Sequence, residues 1–426
     1  MFLQLLENGI RDGTIDLQFG NGQGYRFGRG SPEVTWLLKD RRTGEKIARN
    51  YAYQLGETYI DGDWSIPRGS LRDLLTILRS NFADRRVPRL IAPAVKLAQQ
   101  WNHRLASARN VSSHYDLDRA LFERFLDREM HYSCAYFSQE DASLERAQQE
   151  KCRHIARKLL LRPGQRVLDI GCGWGSMARF LARTHQVQVT GITLSREQCR
   201  YARVRARREG LDNVSFELED YRSHAGSYDR IVSIGMFEHV GRPYQRRFYE
   251  RLKRLLKPDG VALVHTIGRS GPPRPTNAWI RKHIFPGGAI PALSEIAAAA
   301  ERSGILQTDV EAMRLHYAYT LHAWHERFQA HREEIAARMG ERFCRIWEFY
   351  LNACEVSFRC GELLVYQQQL ARRHGVVPVT RDYLYPRQGA GPAGEFTAPR
   401  AAPRSAPAPN SCRCCPAEPR PAPDPR

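Results

Sequence analysis

With 426 residues, 42% of them hydrophobic, the chain is long enough to bury one large α/β domain beside a smaller one. Lys and Arg outnumber Asp and Glu by 65 to 46, a formal charge of +19 that attracts polyanions in general, nucleic acid or anionic bilayer, without choosing between them. There is no uninterrupted apolar run of the roughly 18 residues a spanning helix requires, and Met1 to Arg11 lacks a long apolar core behind a basic lead, so no secretory signal is read there.

In chain order, residues 1–108 read as a small N-terminal α/β module, for lipid contact, ending in a basic linker. Its last stretch, Asn81 to Arg109, sets Arg85, Arg86, Arg89, Lys96, Arg104 and Arg109 among Leu90, Ile91, Val95 and Leu97. That composition suits a helix lying on an anionic surface or a linker helix packed between domains, and Pro88 and Pro93 would interrupt any single helix across it. Residues 109–386 carry the pattern of a catalytic domain. From 387 to 426 the chain is rich in Pro and Ala, with ten prolines, and reads as a disordered tail. Of ten cysteines, Cys412, Cys414 and Cys415 fall in the tail and seven are scattered, so free thiols in a reducing cytoplasm are expected. The tail cluster has no matching partner motif, and no metal is assigned to it.

The catalytic region centres on Val167-Leu168-Asp169-Ile170-Gly171-Cys172-Gly173-Trp174-Gly175. Val167, Leu168 and Ile170 supply the near-continuous apolar run of a strand covered on both faces. Gly171, Gly173 and Gly175 permit a sharp turn and close approach of a ligand to the main chain, and a helix starting near Ser176 points its amides at the same spot. Gln186 to Thr193 is a second strand, and Ser195 to Arg208 a helix whose Ser195 and Gln198 fit a capping box. Val214 to Leu218 and Tyr228 to Ile234 are further strands, followed by a helix from Tyr244 to Leu256 and a strand from Gly260 to Ile267. A helical cap follows His265, and residues 341–371 read as a helix. This alternation predicts a doubly wound, Rossmann-like parallel sheet. Ligands of such sheets bind beyond the carboxyl ends of the strands, where Gly171, Thr193, Asp220, Glu238 and His265 would converge.

A glycine turn alone is compatible with a plain tight turn. A dinucleotide site usually adds a carboxylate at the end of the second strand, but Thr193 stands there, with Glu197 the nearest acid and Gln198 able to bond a ribose. Asp220 with Tyr221 suits an adenine, one for its exocyclic amine and one for its face. The set favours S-adenosylmethionine over NAD.

Further motifs fall in order around this core: His114-Tyr115-Asp116, Met130-His131-Tyr132-Ser133-Cys134-Ala135-Tyr136-Phe137, Gly191-Ile192-Thr193-Leu194-Ser195, Gly235-Met236-Phe237-Glu238-His239-Val240, Ile284-Phe285-Pro286-Gly287-Gly288 and Tyr350-Leu351-Asn352-Ala353-Cys354. On these residues the chain resembles the cyclopropane-fatty-acyl-phospholipid synthases and their mycolic-acid relatives, class I S-adenosylmethionine methyltransferases acting on lipid double bonds. Leu55 to Trp64 resembles the leading domain of the bacterial enzymes. The resemblance implies methyl transfer to a cis alkene in an acyl chain of an unsaturated phospholipid, a carbocation, and loss of a proton from the new methyl to a bound bicarbonate, closing a cyclopropane.

It also implies roles. The bicarbonate cradle maps onto Cys134, Glu238, His265, the backbone of Ile267, and Tyr317, with His265, if protonated, adding positive charge. Cys354 maps onto a candidate active-site position. Tyr132 and Ser133 would close over the methionine end of the cofactor, Val167, Asp169, Gly171, Gly173 and Gly175 would follow its amino-acid portion, Thr193, Leu194 and Gln198 would meet the ribose, and Asp220 and Tyr221 the adenine. Read without the resemblance, Cys134 and Cys354 are packed core thiols. Ile284 to Gly288 reads as a lid or acyl-entry loop. The expected partners are an anionic phospholipid membrane, reached peripherally from the cytoplasm, and unsaturated acyl chains, with no nucleic acid and with a homodimer as the candidate assembly. The alternatives are a relative making methyl-branched lipids, a small-molecule amine methyltransferase, and a basic lipid- or nucleic-acid-binding module with a vestigial pocket.

Overall fold

The structure, a computed structural model, describes residues 1–82 and 119–385. The basic-apolar stretch beyond Phe82, the His114-Tyr115-Asp116 motif, the boundary at 108/109 and the tail with Cys412, Cys414 and Cys415 lie outside the described residues.

Residues 1–82 build a three-stranded sheet of β1 (Asp12–Phe19), β2 (Gly24–Leu38) and β3 (Trp64–Arg68). β1 pairs with both halves of the long β2, so that Leu17 stands opposite Tyr25 in one half and Trp36 in the other. Helices Phe2–Gly9, Arg41–Arg49, Tyr51–Ile60 and Leu71–Phe82 complete this module, the last two facing the cap. The buried residues of these last two, Leu55, Tyr59, Leu74 and Ile77 among them, share one apolar cluster with Trp279, Tyr317, Trp347 and Phe349 of the cap.

The second sheet has seven strands. β4 (Arg166–Ile170), β5 (Gln188–Thr193), β6 (Val214–Leu218), β7 (Tyr228–Ile234), β8 (Leu256–Arg269), β9 (Leu306–Met313) and β10 (Leu363–Ala371) lie in the order β6-β5-β4-β7-β8-β10-β9. The first five are mutually parallel. Val167 and Leu168 are fully buried and Ile170 is nearly so, because both faces are covered. Helices Leu144–Leu159, Ser176–His185 and Arg196–Arg208 pack on one face and Gln245–Leu255 and Leu293–Ser303 on the other. The order reverses between β4 and β7, which opens a crevice at their carboxyl ends.

Two expectations need correction. The helix of 341–371 ends at Arg359, and Leu363–Ala371 is instead β10, antiparallel to both β8 and β9. The sheet is therefore parallel except for this strand. Its Gln367, Gln368 and Gln369 are fully buried, which hides it from apolar pattern reading. Each amide is met by a neighbour: Gln367 Nε2 by His265 Nδ1 at 3.1 Å, Gln368 Nε2 by Gln307 at 2.7 Å, and Gln369 Nε2 by the Lys158 carbonyl at 2.6 Å. The helical cap comprises Ala278–His283 and the helices from His316 to Arg359.

Candidate active site

The strand β4 delivers the chain into the crevice, and the turn that follows holds Gly171, Gly173 and Gly175 at φ of 77°, 54° and 80°. A Cβ on Gly175 would stand 2.7 Å from Ala202 Cβ and 2.8 Å from the Phe216 ring, whereas one on Gly173 would meet nothing within 4 Å. The first glycine thus seats helix against strand, and the second leaves main chain open to a ligand. Beneath them lies a cleft of about 150 Å³ lined by Tyr132, Ser133, Asp169, Gly171, Gly173, Thr193, Leu194, Gln198 and Tyr221. Val167, fully buried, and Gly175, packed against Ala202 and Phe216, are not among the residues that line it. Asp220 is off the wall as well: Arg222 Nη2 donates to its Oδ2 at 2.6 Å and Nε to its Oδ1 at 2.9 Å. Glu219, Tyr221 and Arg222 face the cleft instead. Ser195 Oγ accepts from Gln198 N at 3.2 Å, the N-cap half of the expected box, while Gln198 Oε1 accepts from Thr193 Oγ1 at 3.2 Å and Ser195 N donates to that same Thr193 Oγ1.

Charge is concentrated at the floor of the cleft. Asp169 is buried, its Oδ2 has no hydrogen-bond partner among the described residues, and burial pushes its carboxyl up to about 7 against the pull of Lys151. A cationic ammonium group fits that oxygen. Lys151 is itself fully buried, donates to Ser133 Oγ at 3.0 Å, and is pulled down by burial, with Cys152, Asp127, Cys134 and Asp169 opposing. Sequence reading missed it. Its signal is positional, a lysine at core spacing among buried Ala147, Gln148, Ile155 and Leu159 of one helix.

A second cavity, of about 490 Å³, lies under the cap. Tyr132, Ser133, Gly235 and His239 line both spaces, so the two meet there. Cys134, Glu238, His265, Ile267, Tyr317 and Cys354, drawn from five separate elements or loops, all line the larger cavity beside the junction. The rest of the nearby wall is mainly apolar, with Leu321, Phe285, Phe349 and Phe358 prominent.

Glu238 sits on the short 3-10 turn Phe237–His239 after β7. Its Oε1 accepts from Ile267 N at 2.6 Å, and its Oε2 is buried without a hydrogen-bond partner among the described residues. Burial raises the carboxyl to about 7, the Ile267 amide opposing. The Ile267 N–H is therefore spent on Glu238. His265, on β8 opposite Gln367, is pulled down to about 3, by burial first and then by Lys151 and Lys158. Burial therefore favours the neutral imidazole over the protonated form considered from sequence. With Gln367 Nε2 donating to Nδ1, Nε2 carries the proton and is a donor. Burial also holds the Tyr317 hydroxyl and the Cys134 thiol well above their usual ranges and pushes Cys354 up to about 12. None is an anion near neutrality, so neither thiol is primed as a nucleophile. Tyr132 and Tyr350 approach hydroxyl to hydroxyl at 3.2 Å over the junction. The loop of Ile284 to Gly288 packs on this wall, Ala289 N donating to the Glu238 carbonyl at 2.9 Å.

The arrangement pairs a cleft suited to a cationic amino-acid-bearing cofactor with a chamber whose end beside the junction is mainly apolar and holds Glu238 Oε2, unpartnered among the described residues, next to neutral donors. Residues 102–368 match the family model described as mycolic acid cyclopropane synthetase. The chain is 40% identical over 347 residues to the cyclopropane-fatty-acyl-phospholipid synthase of Escherichia coli, covering 80% of this chain and 89% of that one. It is similar to the solved cyclopropane synthase MmaA2 from Mycobacterium tuberculosis, with TM-score 0.58, 35% identity, and coverage of 62% of this chain and 98% of that one. It is also similar to the mycolic acid cyclopropane synthase CmaA1 complexed with SAH and CTAB, with TM-score 0.59, 35% identity, and coverage of 62% and 97%.

Proposed function

The chain belongs to the mycolic acid cyclopropane synthetase family, and from that premise we propose that it converts cis double bonds in phospholipid acyl chains to cyclopropanes. The fold is that of class I S-adenosylmethionine-dependent methyltransferases. S-adenosylmethionine, when bound, supplies an electrophilic methyl on a sulfonium. The observation that carries the reading is the junction at Tyr132, Ser133, Gly235 and His239, where a polar cofactor cleft opens into an apolar chamber.

In this reading Asp169 Oδ2 takes the ammonium of the cofactor, Ser133 and Lys151 border its methionine end, and Thr193, Leu194, Gln198 and Tyr221 border its nucleoside. The chamber orients the alkene and excludes water from the cation formed on the acyl chain. A small oxyanion suits the space between Glu238, His265 and Tyr317. His265 Nε2–H and the Tyr317 hydroxyl donate to it, and Glu238 Oε2, unpartnered among the described residues, accepts from its own hydroxyl, which is the pattern bicarbonate offers. Cys134 and Cys354 border this space as neutral thiols, and Ile267 acts through the amide that fixes Glu238.

Access from the bilayer is peripheral in this reading. Among the described residues no helix is long and apolar enough to cross a membrane, and the +19 charge favours an anionic surface. Residues 1–108 serve lipid contact, which is supported by Tyr51, Ala52, Leu55 and Leu75 of the N-terminal module standing in the chamber wall. A homodimer is the assembly to test alongside. The function is checked by incubating the purified chain with S-adenosylmethionine and vesicles of unsaturated phospholipid. Mass spectrometry should find acyl chains heavier by one CH₂ and lacking the alkene; methylation of an amine without any lipid product would overturn the reading.

A further inference from the structure

The chamber's wall is not apolar throughout. Arg79, Arg269 and Arg274 line it together with Glu362, and none of the four has a part in the chemistry above. Along β8 the alternate residues His265, Ile267 and Arg269 line the chamber while Thr266 and Gly268 do not, so one face of one strand runs from the reacting end to the arginines. At about 3.3 Å per residue that face spans about 13 Å.

The three guanidiniums converge on one turn. Leu363, the first residue of β10, is paired with Arg269, and just before it a Cβ on Gly361 would stand 3.0 Å from Arg79 Nη2. Glu362 lies between: Arg274 Nη1 is 3.1 Å from its Oε1 and Arg269 Nη1 3.8 Å from its Oε2. Arg242 donates to the Arg274 carbonyl at 2.7 Å and fixes that loop. Glu362 thus answers two of the guanidiniums, Arg269 and Arg274, and the third, Arg79, reaches the same turn at Gly361. Arg269 is 8% exposed, and its Nε has no hydrogen-bond partner among the described residues. A buried cation so incompletely matched is costly unless an anion completes it. Burial pulls Arg269 below its ordinary value, with Glu362 and, more weakly, Glu295 opposing and Arg242 and Arg274 adding to the effect.

We propose that Arg79, Arg269 and Arg274 form a subsite for the phosphodiester of a phospholipid head group, which anchors the lipid while its acyl chain runs along the β8 face to Glu238. This rests on the proposed lipid substrate. Guanidinium forks match phosphoryl oxygens two at a time, and the apolar continuation of the chamber selects a lipid phosphate over the free ion. Arg79 comes from the N-terminal module, so the subsite is complete only when that module and the cap act together. The strand-length ruler places the reacting alkene well down the acyl chain.

Binding tests this without turnover. Full-length protein is titrated with an unsaturated phosphatidylglycerol or the matching diacylglycerol, each in neutral maltoside micelles, and with inorganic phosphate alone, following tryptophan fluorescence, since Trp279 lines the chamber. The phospholipid should bind roughly tenfold or more tighter than the diacylglycerol, the scale of one charge-assisted hydrogen bond. That ratio should fall toward one in Arg269→Gln and by several-fold in Arg79→Gln and in Arg274→Gln, whose side chain is exposed and so leaves folding intact. Equal binding of the two lipids by the unaltered chain, or an unchanged ratio in both Arg79→Gln and Arg274→Gln, overturns the subsite. Inorganic phosphate binding as tightly as the phospholipid overturns the lipid assignment. Loss of cyclopropane product with the binding ratio intact overturns the proposed reaction and leaves the subsite standing.

Discussion

The cofactor cleft and the chamber beneath the cap share a wall, yet they are assembled by different rules. The cleft is largely a local object: one strand, one glycine turn and the helix after it place Asp169, Gly171 and Gly173 within a few residues, and backbone conformation does most of the positioning. The chamber is a convergence. Cys134, Glu238, His265, Tyr317 and Cys354 come from widely separated parts of the chain, and Leu55, Leu75 and Arg79 come from another module. A local site is broken by changing its backbone, and a convergent one by changing single side chains. The two should therefore fail separately.

The largest separation is expected at Glu238. Glu238→Gln keeps the shape and the Ile267 contact but removes the acceptor that orients the base, so turnover should fall by roughly 10²- to 10⁴-fold, the usual scale for losing general-base catalysis, with cofactor affinity by calorimetry unchanged. Loss of cofactor binding in that variant would merge the two sites into one. The converse break is Gly175→Ala. With φ of 80° and Ala202 Cβ 2.7 Å from the new methyl, strain and overlap of about 2–4 kcal/mol are expected, seen as weakened cofactor binding and a lower melting temperature.

A pH experiment sharpens the contrast. Burial raises Glu238 from 4.5 to about 7, so the unfolded chain releases that proton first, and the fold loses stability as pH rises between those values. Glu238→Gln removes this loss. The variant should therefore melt higher than the unaltered protein at pH 8, by an equivalent of at most about 3 kcal/mol, and the two should converge below pH 4.5. Its acid limb of activity, if any turnover persists, should be gone. The smallest effect is expected at Cys354, held protonated up to about 12. Cys354→Ser should change turnover by about twofold or less, since no thiolate is formed; a large loss would give the thiol a role in the chemistry.

The contrast also explains what could be read from sequence. The strands from Val167 to Ile234 and the turn between them follow from apolar runs and glycine spacing, because a parallel sheet covered on both faces imposes that pattern on contiguous residues. β10 could not be read so, since the amide nitrogens of Gln367, Gln368 and Gln369 are met by His265, Gln307 and the Lys158 carbonyl, all far away in sequence. Asp220, the carboxylate expected for adenine, is held by Arg222 two residues on, a pairing that the sequence reading did not anticipate. That Cys134, Glu238, His265, Ile267 and Tyr317 share a chamber came from the resemblance rather than from any spacing. The charge state of His265 depends on burial and on Lys151 and Lys158, none of which a local pattern records.

The most direct test follows the transferred carbon. With S-adenosylmethionine carrying a CD₃ methyl and vesicles of unsaturated phospholipid, methyl transfer followed by deprotonation at Glu238, His265 and Tyr317 predicts a cyclopropane whose ring carbon is CD₂. An intact CD₃ branch on the acyl chain, or CD₃ on an amine, would contradict the account.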